Sequence, residues 1–443
     1  MTGGMYQKNP LDSRIKDKFG LQTGSFSRQA LRDYQLKRLQ ETIDYVFRNS
    51  HFYRKRFKGY GETRLTCPED LARLPFTTPH DIREHALQML CVSQSEIERV
   101  VTLESSGTTG EPKRLYFTRD DQELTIDFFM QGMSFLTSPG ERVLILLPGE
   151  RPGSIGDLLH TALTRIGVIP IKHGIIKSLP DTLEKLAATR ADVLVGIPVQ
   201  VLALARYYDL RGRGIPVFLK RMLLSTDYVP RAVIQEADRI WGCEVYNYFG
   251  MTEMGLGGGI ECGNHHGYHL YEGDFFLEIV DPKTEEAVAE GRYGEVVFTT
   301  LTRRGMPLVR YRTGDLSRFV PGECSCGSIT RRLEKIMARK TGVVPLAGDC
   351  YLKIADLDEA LLALPGIVDF SATVSRLQDS PRLKILISVL GPVGNLQDIR
   401  RELLRIPALG YWLKQGTPEL SVELCECDDS YVPRTGKRQI IIE

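Results

Sequence analysis

Val143-Leu144-Ile145-Leu146-Leu147-Pro148 is an unbroken apolar run closed by proline, too short for a helix and without the alternation of a half-exposed strand. Three similar runs follow: Gly167-Val168-Ile169-Pro170, Asp192-Val193-Leu194-Val195-Gly196 and Arg221-Met222-Leu223-Leu224-Ser225. Between them, Asp181 to Ala188 and Val199 to Tyr208 carry helix-like patterns. Buried strands alternating with helices predict a largely parallel α/β sheet, whose ligand sites lie beyond the carboxyl ends of its strands. On that reading Ser225-Thr226-Asp227 and the segment Tyr246 to Glu253 stand at site positions.

The pattern changes on either side. Upstream, Leu31, Tyr34, Leu36, Leu39, Ile43 and Phe47 recur at mostly helical spacing and predict an amphipathic helix over Gln29 to Arg48. From Gly273 the apolar residues fall into shorter, alternating strands, Phe275 to Val280 and Gly294 to Phe298, separated by glycine-rich turns, as in an antiparallel β-rich subdomain. After Arg339 a helix over Ile354 to Leu364, strands near Phe370 to Val374 and Leu383 to Val389, a helix near Leu396 to Arg405 and a final strand predict a separate small domain. The expected architecture is α/β: a large N-terminal domain over 1–337 with mixed, mostly parallel sheets, including a β-rich subdomain over about 273–337, and a small mobile α+β domain over 338–443.

The formal charge is +1, which gives no reason to expect a nucleic-acid partner. No apolar run approaches the ~20 residues of a membrane span, and Met1-Thr2-Gly3-Gly4-Met5-Tyr6 lacks a charged start leading into an apolar core, so a cytoplasmic protein is expected. Nine cysteines without a secretion signal favour thiols or metal ligands over a disulfide framework.

Chemistry concentrates in Leu103-Glu104-Ser105-Ser106-Gly107-Thr108-Thr109-Gly110-Glu111-Pro112-Lys113. Glycines let backbone N–H groups approach anionic oxygens, hydroxyls donate hydrogen bonds and Lys113 adds charge, so the loop suits phosphates. It is not a P-loop, because Pro112 stands where a glycine should precede the lysine and no Ser or Thr follows it. Further along come Tyr246-Asn247-Tyr248-Phe249-Gly250-Met251-Thr252-Glu253, Tyr311-Arg312-Thr313-Gly314-Asp315-Leu316 and Pro433-Arg434-Thr435-Gly436-Lys437-Arg438.

In this order these segments resemble the adenylate-forming superfamily of acyl-CoA synthetases, specifically its phenylacetate-CoA ligase-like branch. Asn49-Ser50-His51-Phe52-Tyr53-Arg54, Leu74-Pro75-Phe76-Thr77-Thr78 and Cys324-Ser325-Cys326-Gly327 extend the likeness over nearly the whole chain. The resemblance implies ATP, Mg²⁺ and CoA as reactants, and it implies roles. Ser105, Ser106, Gly107, Thr108, Thr109, Gly110 and Lys113 would take the β- and γ-phosphates, while Asn247, Tyr248, Phe249, Gly250 and Met251 would line the nucleotide, with Phe249 on adenine where relatives usually have Tyr. Thr252 would contact the α-phosphate, Glu253 would hold Mg²⁺, and Asp315 and Arg339 would reach the ribose. Ser225, Thr226 and Asp227 stand where relatives often carry Gly-Ala-Glu beside adenine, and Lys437 matches the lysine that swings in for adenylation. At the hinge, Ala338-Arg339-Lys340-Thr341 lacks the acidic residues that relatives place after the arginine.

Cys262, His265, His266 and His269 lie within eight residues, and Cys324 and Cys326 follow about sixty residues later. Three thiolates and one imidazole make a donor set suited to a structural, tetrahedral zinc: Cys262, Cys324 and Cys326 with His269, favoured because Gly267-Tyr268-His269 matches a Gly-x-His of the family, or else with His266. Cys425-Glu426-Cys427 reads as a pair of strand thiols. The expected activity is ATP-dependent activation of a carboxylic acid, aryl or small and hydrophobic, followed by thioester formation with CoA. Adenylation of a deazaflavin cofactor, ligation to a carrier-protein thiol and silent adenylate binding remain alternatives.

Overall fold

The computed structural model describes residues 11–12, 15–16, 27–60, 64–103, 112–336, 338–339, 342–347, 350–375, 382–414, 419–435 and 437–443. They fall into two compact units: Met1–Leu136 with Thr161–Ile166 and Tyr248–Lys335, and Thr137–His160 with Gly167–Asn247 and Ile336–Glu443.

The second unit contains the parallel sheet that the apolar runs predict. Its strands stand in the order Ile169–Lys172, Arg142–Ile145, Val193–Gly196, Arg221–Leu224 and Glu244–Phe249, each parallel to its neighbour. Val193–Gly196 is buried at every position, which explains its unbroken apolar sequence. Helices Leu179–Thr189, Pro198–Tyr207 and Arg231–Trp241 alternate with these strands. Gly156 supports the turn after strand Arg142–Ile145, because a Cβ there would lie 2.8 Å from the Pro148 carbonyl oxygen.

The C-terminal part of this unit forms a four-stranded sheet, in the order Glu419–Glu426, Arg382–Val389, Ile367–Ser375 and Ile440–Ile442, with helices Ile354–Leu361, Leu396–Leu404 and Pro407–Leu413. One continuous core runs from Leu144, Leu194 and Met222 through Leu357 and Phe370 to Ile385 and Trp412. The buried Arg206 ties its parts together, donating to the carbonyls of Ile367 and, at 2.7 Å, Leu362 while pairing with Glu236.

The first unit opens with helix Arg28–Asn49, capped by Ser27, whose hydroxyl accepts the Ala30 N–H. The β-rich region is antiparallel as expected, with Phe275–Val280 paired to Gly294–Thr300 and that strand to Tyr311–Ser317. The expected alternation does not survive in the burial: Gly294–Thr300 is buried at all of its positions, so this sheet is covered on both faces. Among the described residues, no helix is long and apolar enough to cross a membrane.

A charged cluster anchors the N-terminal helix of this unit. The buried Glu272 accepts from Arg28 at 2.8 Å and from Arg331 at 3.0 Å. Burial alone would raise its pKa, but the Arg331 and Arg28 guanidinium groups outweigh that and bring it to about 2. A depressed carboxylate stabilises the fold above its unfolded pKa, and that contribution disappears as the pH falls from about 4 towards 2. Melting followed against pH should show this acid loss, blunted in Glu272→Gln, which itself lowers neutral-pH stability by about 3 kcal/mol because two guanidinium groups lose their counter-ion.

Candidate active site and metal centre

The strand Glu244–Phe249 delivers the first group of candidates. At its end Gly250 is required, since a Cβ there would sit 2.3 Å from the Leu256 carbonyl oxygen. Met251 is extended, Thr252–Met254 forms one 3₁₀ turn, and Gly255 closes it at φ +67°. That turn directs Glu253 inward. Its Oε1 takes hydrogen bonds from the Lys113 ammonium and, at 2.9 Å, from the Tyr311 hydroxyl, while Arg303 Nη1 donates to its backbone carbonyl at 2.6 Å. Burial would raise the pKa of Glu253, but the Lys113 charge and the two hydrogen bonds hold it below the usual carboxylate value.

Lys113 comes from the first position of strand Lys113–Thr118, and Tyr311 from the first of Tyr311–Ser317. The unit therefore gathers onto one carboxylate two groups that are distant from it in sequence. Asp315, on the same strand as Tyr311, is buried and follows Gly314 at φ +76°. Its N–H donates to Thr313 Oγ1 at 3.0 Å, and that hydroxyl donates to the Val296 carbonyl at 2.7 Å. Phe249 is buried and stacked on Tyr268 with ring centroids 5.7 Å apart. Tyr248 is half-buried and lies edge-on to Phe128.

Ser225, Thr226, Asp227, Asn247, Arg339 and Lys437 belong to the second unit. Ser225 is buried just beyond the end of strand Arg221–Leu224, as the parallel-sheet rule predicts, and Asn247 is buried within Glu244–Phe249, paired with Leu224. Thr226 adopts φ +78°, and Asp227 Oδ2 accepts the Arg438 N–H at 3.0 Å. The Arg438 side chain is buried against Asp358 and Asp369, whereas its neighbour Lys437 is exposed. The structure thus joins the segment carrying Lys437 to Asp227. Arg339 is exposed on the short strand Ala338–Arg339. The expected phosphate-loop residues Ser105, Ser106, Gly107, Thr108, Thr109 and Gly110 lie outside the described residues, as do Lys340 and Thr341 of the expected hinge.

The thiol and imidazole candidates do converge. Cys262, His269, Cys324 and Cys326 are all buried, with their donor atoms within 4.8 Å of one another. Cys262 Sγ and Cys324 Sγ are 3.7 Å apart, and Cys326 Sγ is 3.3 Å from His269 Nε2. A disulfide needs about 2.05 Å between sulfurs. The edges of a zinc tetrahedron are about 3.8 Å between sulfurs and about 3.6 Å between sulfur and nitrogen, and the cluster fits those. The geometry also separates the two histidines, since His266 Nδ1 faces Arg332 at 3.2 Å.

Behind His269 stands a relay that residue types alone did not suggest. Its Nδ1 meets Thr330 Oγ1 at 3.0 Å, Thr330 meets Ser328 Oγ at 2.9 Å, and the Ser328 hydroxyl donates to Asp12 at 2.7 Å. Such a chain fixes the ring with Nε2 turned toward the thiols. Tyr311 was also missed as a functional residue, although it opens a motif already singled out.

The family described as AMP-binding enzyme matches residues 98–301. The phenylacetate-coenzyme A ligase of Thermus thermophilus is 30% identical over 380 residues, covering 82% of this chain and 82% of its own length. That of Pseudomonas putida is 31% identical over 335 residues, covering 72% of this chain and 73% of its own. Among solved structures, 2-hydroxyisobutyryl-CoA ligase in its postadenylation state shares the fold with a TM-score of 0.77 at 21% identity, over 94% of this chain and 89% of that one.

Proposed function

The chain belongs to the adenylate-forming superfamily, in its phenylacetate-CoA ligase-like branch, and from that membership we propose that it is an AMP-forming acid–CoA ligase acting on an aryl or small hydrophobic acid. A carboxylate oxygen attacks the α-phosphorus of ATP, pyrophosphate leaves, and the CoA thiol then attacks the acyl carbon and releases AMP. The observation that carries this reading is the turn Gly250-Met251-Thr252-Glu253, which presents a buried, ionised carboxylate held by Lys113 and Tyr311. Phe128, Phe129, Tyr248 and Tyr271 form an aromatic cluster that supports the substrate class, with Phe128 lying 5.5 Å from Tyr248 and 5.1 Å from Tyr271 between ring centroids. Pyrophosphate exchange against a panel of carboxylic acids tests it; exchange with aromatic or small apolar acids is expected, and exchange with none of them would refute it.

The residues divide the work by chemistry. Ser105 to Gly110 and Lys113 bind the β- and γ-phosphates, Thr252 orients the α-phosphate, and Asp315 and Arg339 accept and donate at the ribose. Ser225, Thr226, Asp227 and Asn247 to Met251 frame the base, and Lys437 brings its ammonium to the phosphate charge that grows during attack. Glu253 suits Mg²⁺, a hard cation that takes one or two carboxylates together with nucleotide phosphates, and the ion would screen phosphate charge from the incoming carboxylate. Glu253→Gln should therefore raise the Mg²⁺ concentration needed for half-maximal exchange; an unchanged requirement would make Glu253 a purely structural group. Residues 338–443 act as the lid that carries Lys437, with Arg339 at the hinge. Cys262, His269, Cys324 and Cys326 would hold a structural zinc as a closed set of four protein ligands that leaves no open position for chemistry.

A further inference from the structure

Among the described residues, the neighbours of the Glu253 carboxylate hold it through Oε1. Oε1 accepts from both Lys113 and Tyr311, while among the described residues Oε2 accepts no hydrogen bond from another residue. The Tyr311 hydroxyl stands at the junction, 3.4 Å from Lys113 Nζ and 2.9 Å from Oε1. Its ring is buried and packs against Phe298, with centroids 5.4 Å apart. The two donors differ in what they can do when nucleotide arrives. The lysine ammonium is a point charge on a flexible stem and follows phosphate charge, whereas a buried phenol stays where its ring is packed. A buried carboxylate whose ammonium partner departs would turn or take up a proton unless another donor to its oxygens remained.

We propose that Tyr311 is a positioning residue for nucleotide-bound magnesium: its hydroxyl keeps Oε1 occupied and Oε2 free for the ion while Lys113 moves to the phosphates. This rests on the reading of Glu253 as the magnesium ligand. Donors behind a ligating carboxylate typically contribute about tenfold or more in metal affinity.

Tyr311→Phe removes one oxygen and retains the ring packing. Mn²⁺ titrated by electron paramagnetic resonance into protein saturated with a non-hydrolysable ATP analogue should bind roughly tenfold more weakly to Tyr311→Phe than to the native protein. The exchange rate at saturating Mg²⁺ should stay within about twofold of native, and adding Tyr311→Phe to Glu253→Gln should weaken Mn²⁺ no further. Native Mn²⁺ affinity in Tyr311→Phe beside weakened affinity in Glu253→Gln would overturn the role of Tyr311 alone. So would a fall in the saturated rate with Mn²⁺ affinity unchanged. If neither variant weakens Mn²⁺, the assignment of Glu253 as the ligand fails, and the inference with it.

Discussion

Lys437→Ala should lower carboxylate-dependent pyrophosphate exchange at least about a hundredfold, the ~3 kcal/mol or more lost when a preorganised donor to transition-state charge is removed. Acyl-adenylate supplied from outside should remain a substrate for CoA, because in the proposed role the ammonium serves charge that develops only while the carboxylate attacks phosphorus. The fold should tolerate the change, since Lys437 is exposed while Arg438 makes the buried ion pairs. The register of the segment is set by the Arg438 N–H on Asp227 and by the Arg438 guanidinium over the Phe370 ring, 4.2 Å from its centroid. Stopped-flow or quench measurement of each half-reaction separates them; equal loss in both would contradict a role confined to adenylation.

The second large effect is loss of zinc. Purified protein should carry about one zinc per chain, and Cys324→Ser should release or weaken it. The site joins strand Gly259–Glu261 and its partner Tyr268–Leu270 to the loop before strand Arg332–Leu333. It therefore clamps the polypeptide that follows Glu253. Zinc contributes on the order of 10 kcal/mol to small units that fold only around it, and a domain with its own core should realise about half of that. Calorimetry should show a melting temperature lower by many degrees in Cys324→Ser, and activity should decline with the folded fraction. Metal-free protein with native stability and full activity would refute the site. Thr330→Val, which breaks the relay behind His269, should weaken zinc about tenfold and leave the thiols in place.

Residue pattern revealed the frame of this protein because its central strands are buried on both faces and so carry unbroken apolar runs that few other structures tolerate. Helix Pro407–Leu413 went unread, since seven residues opening with proline and containing glycine look like a loop until Trp412 is seen buried. The covered β-sheet was read as alternating because Phe275 to Val280 includes Glu278, whose charge is neutralised by Arg310 at 2.9 Å rather than by solvent. At the site, the family resemblance pointed to Glu253, residue types grouped the three cysteines, and the Gly-x-His likeness favoured His269; the structure brings those three cysteines and His269 together. What sequence does not encode locally is which distant side chains meet. Lys113, Glu253 and Tyr311 come together only because three strands and a turn bring them there, and Asp12 reaches the cysteine–histidine cluster through two hydroxyls from another part of the chain.

The most direct measurement is product analysis after incubation with ATP, Mg²⁺, CoA and the acid that supports the fastest pyrophosphate exchange. An acid–CoA ligase yields AMP, pyrophosphate and an acyl-CoA thioester in equal amounts, each dependent on the acid. Release of pyrophosphate with AMP retained on the product, or no acid-dependent turnover across the panel, would contradict it.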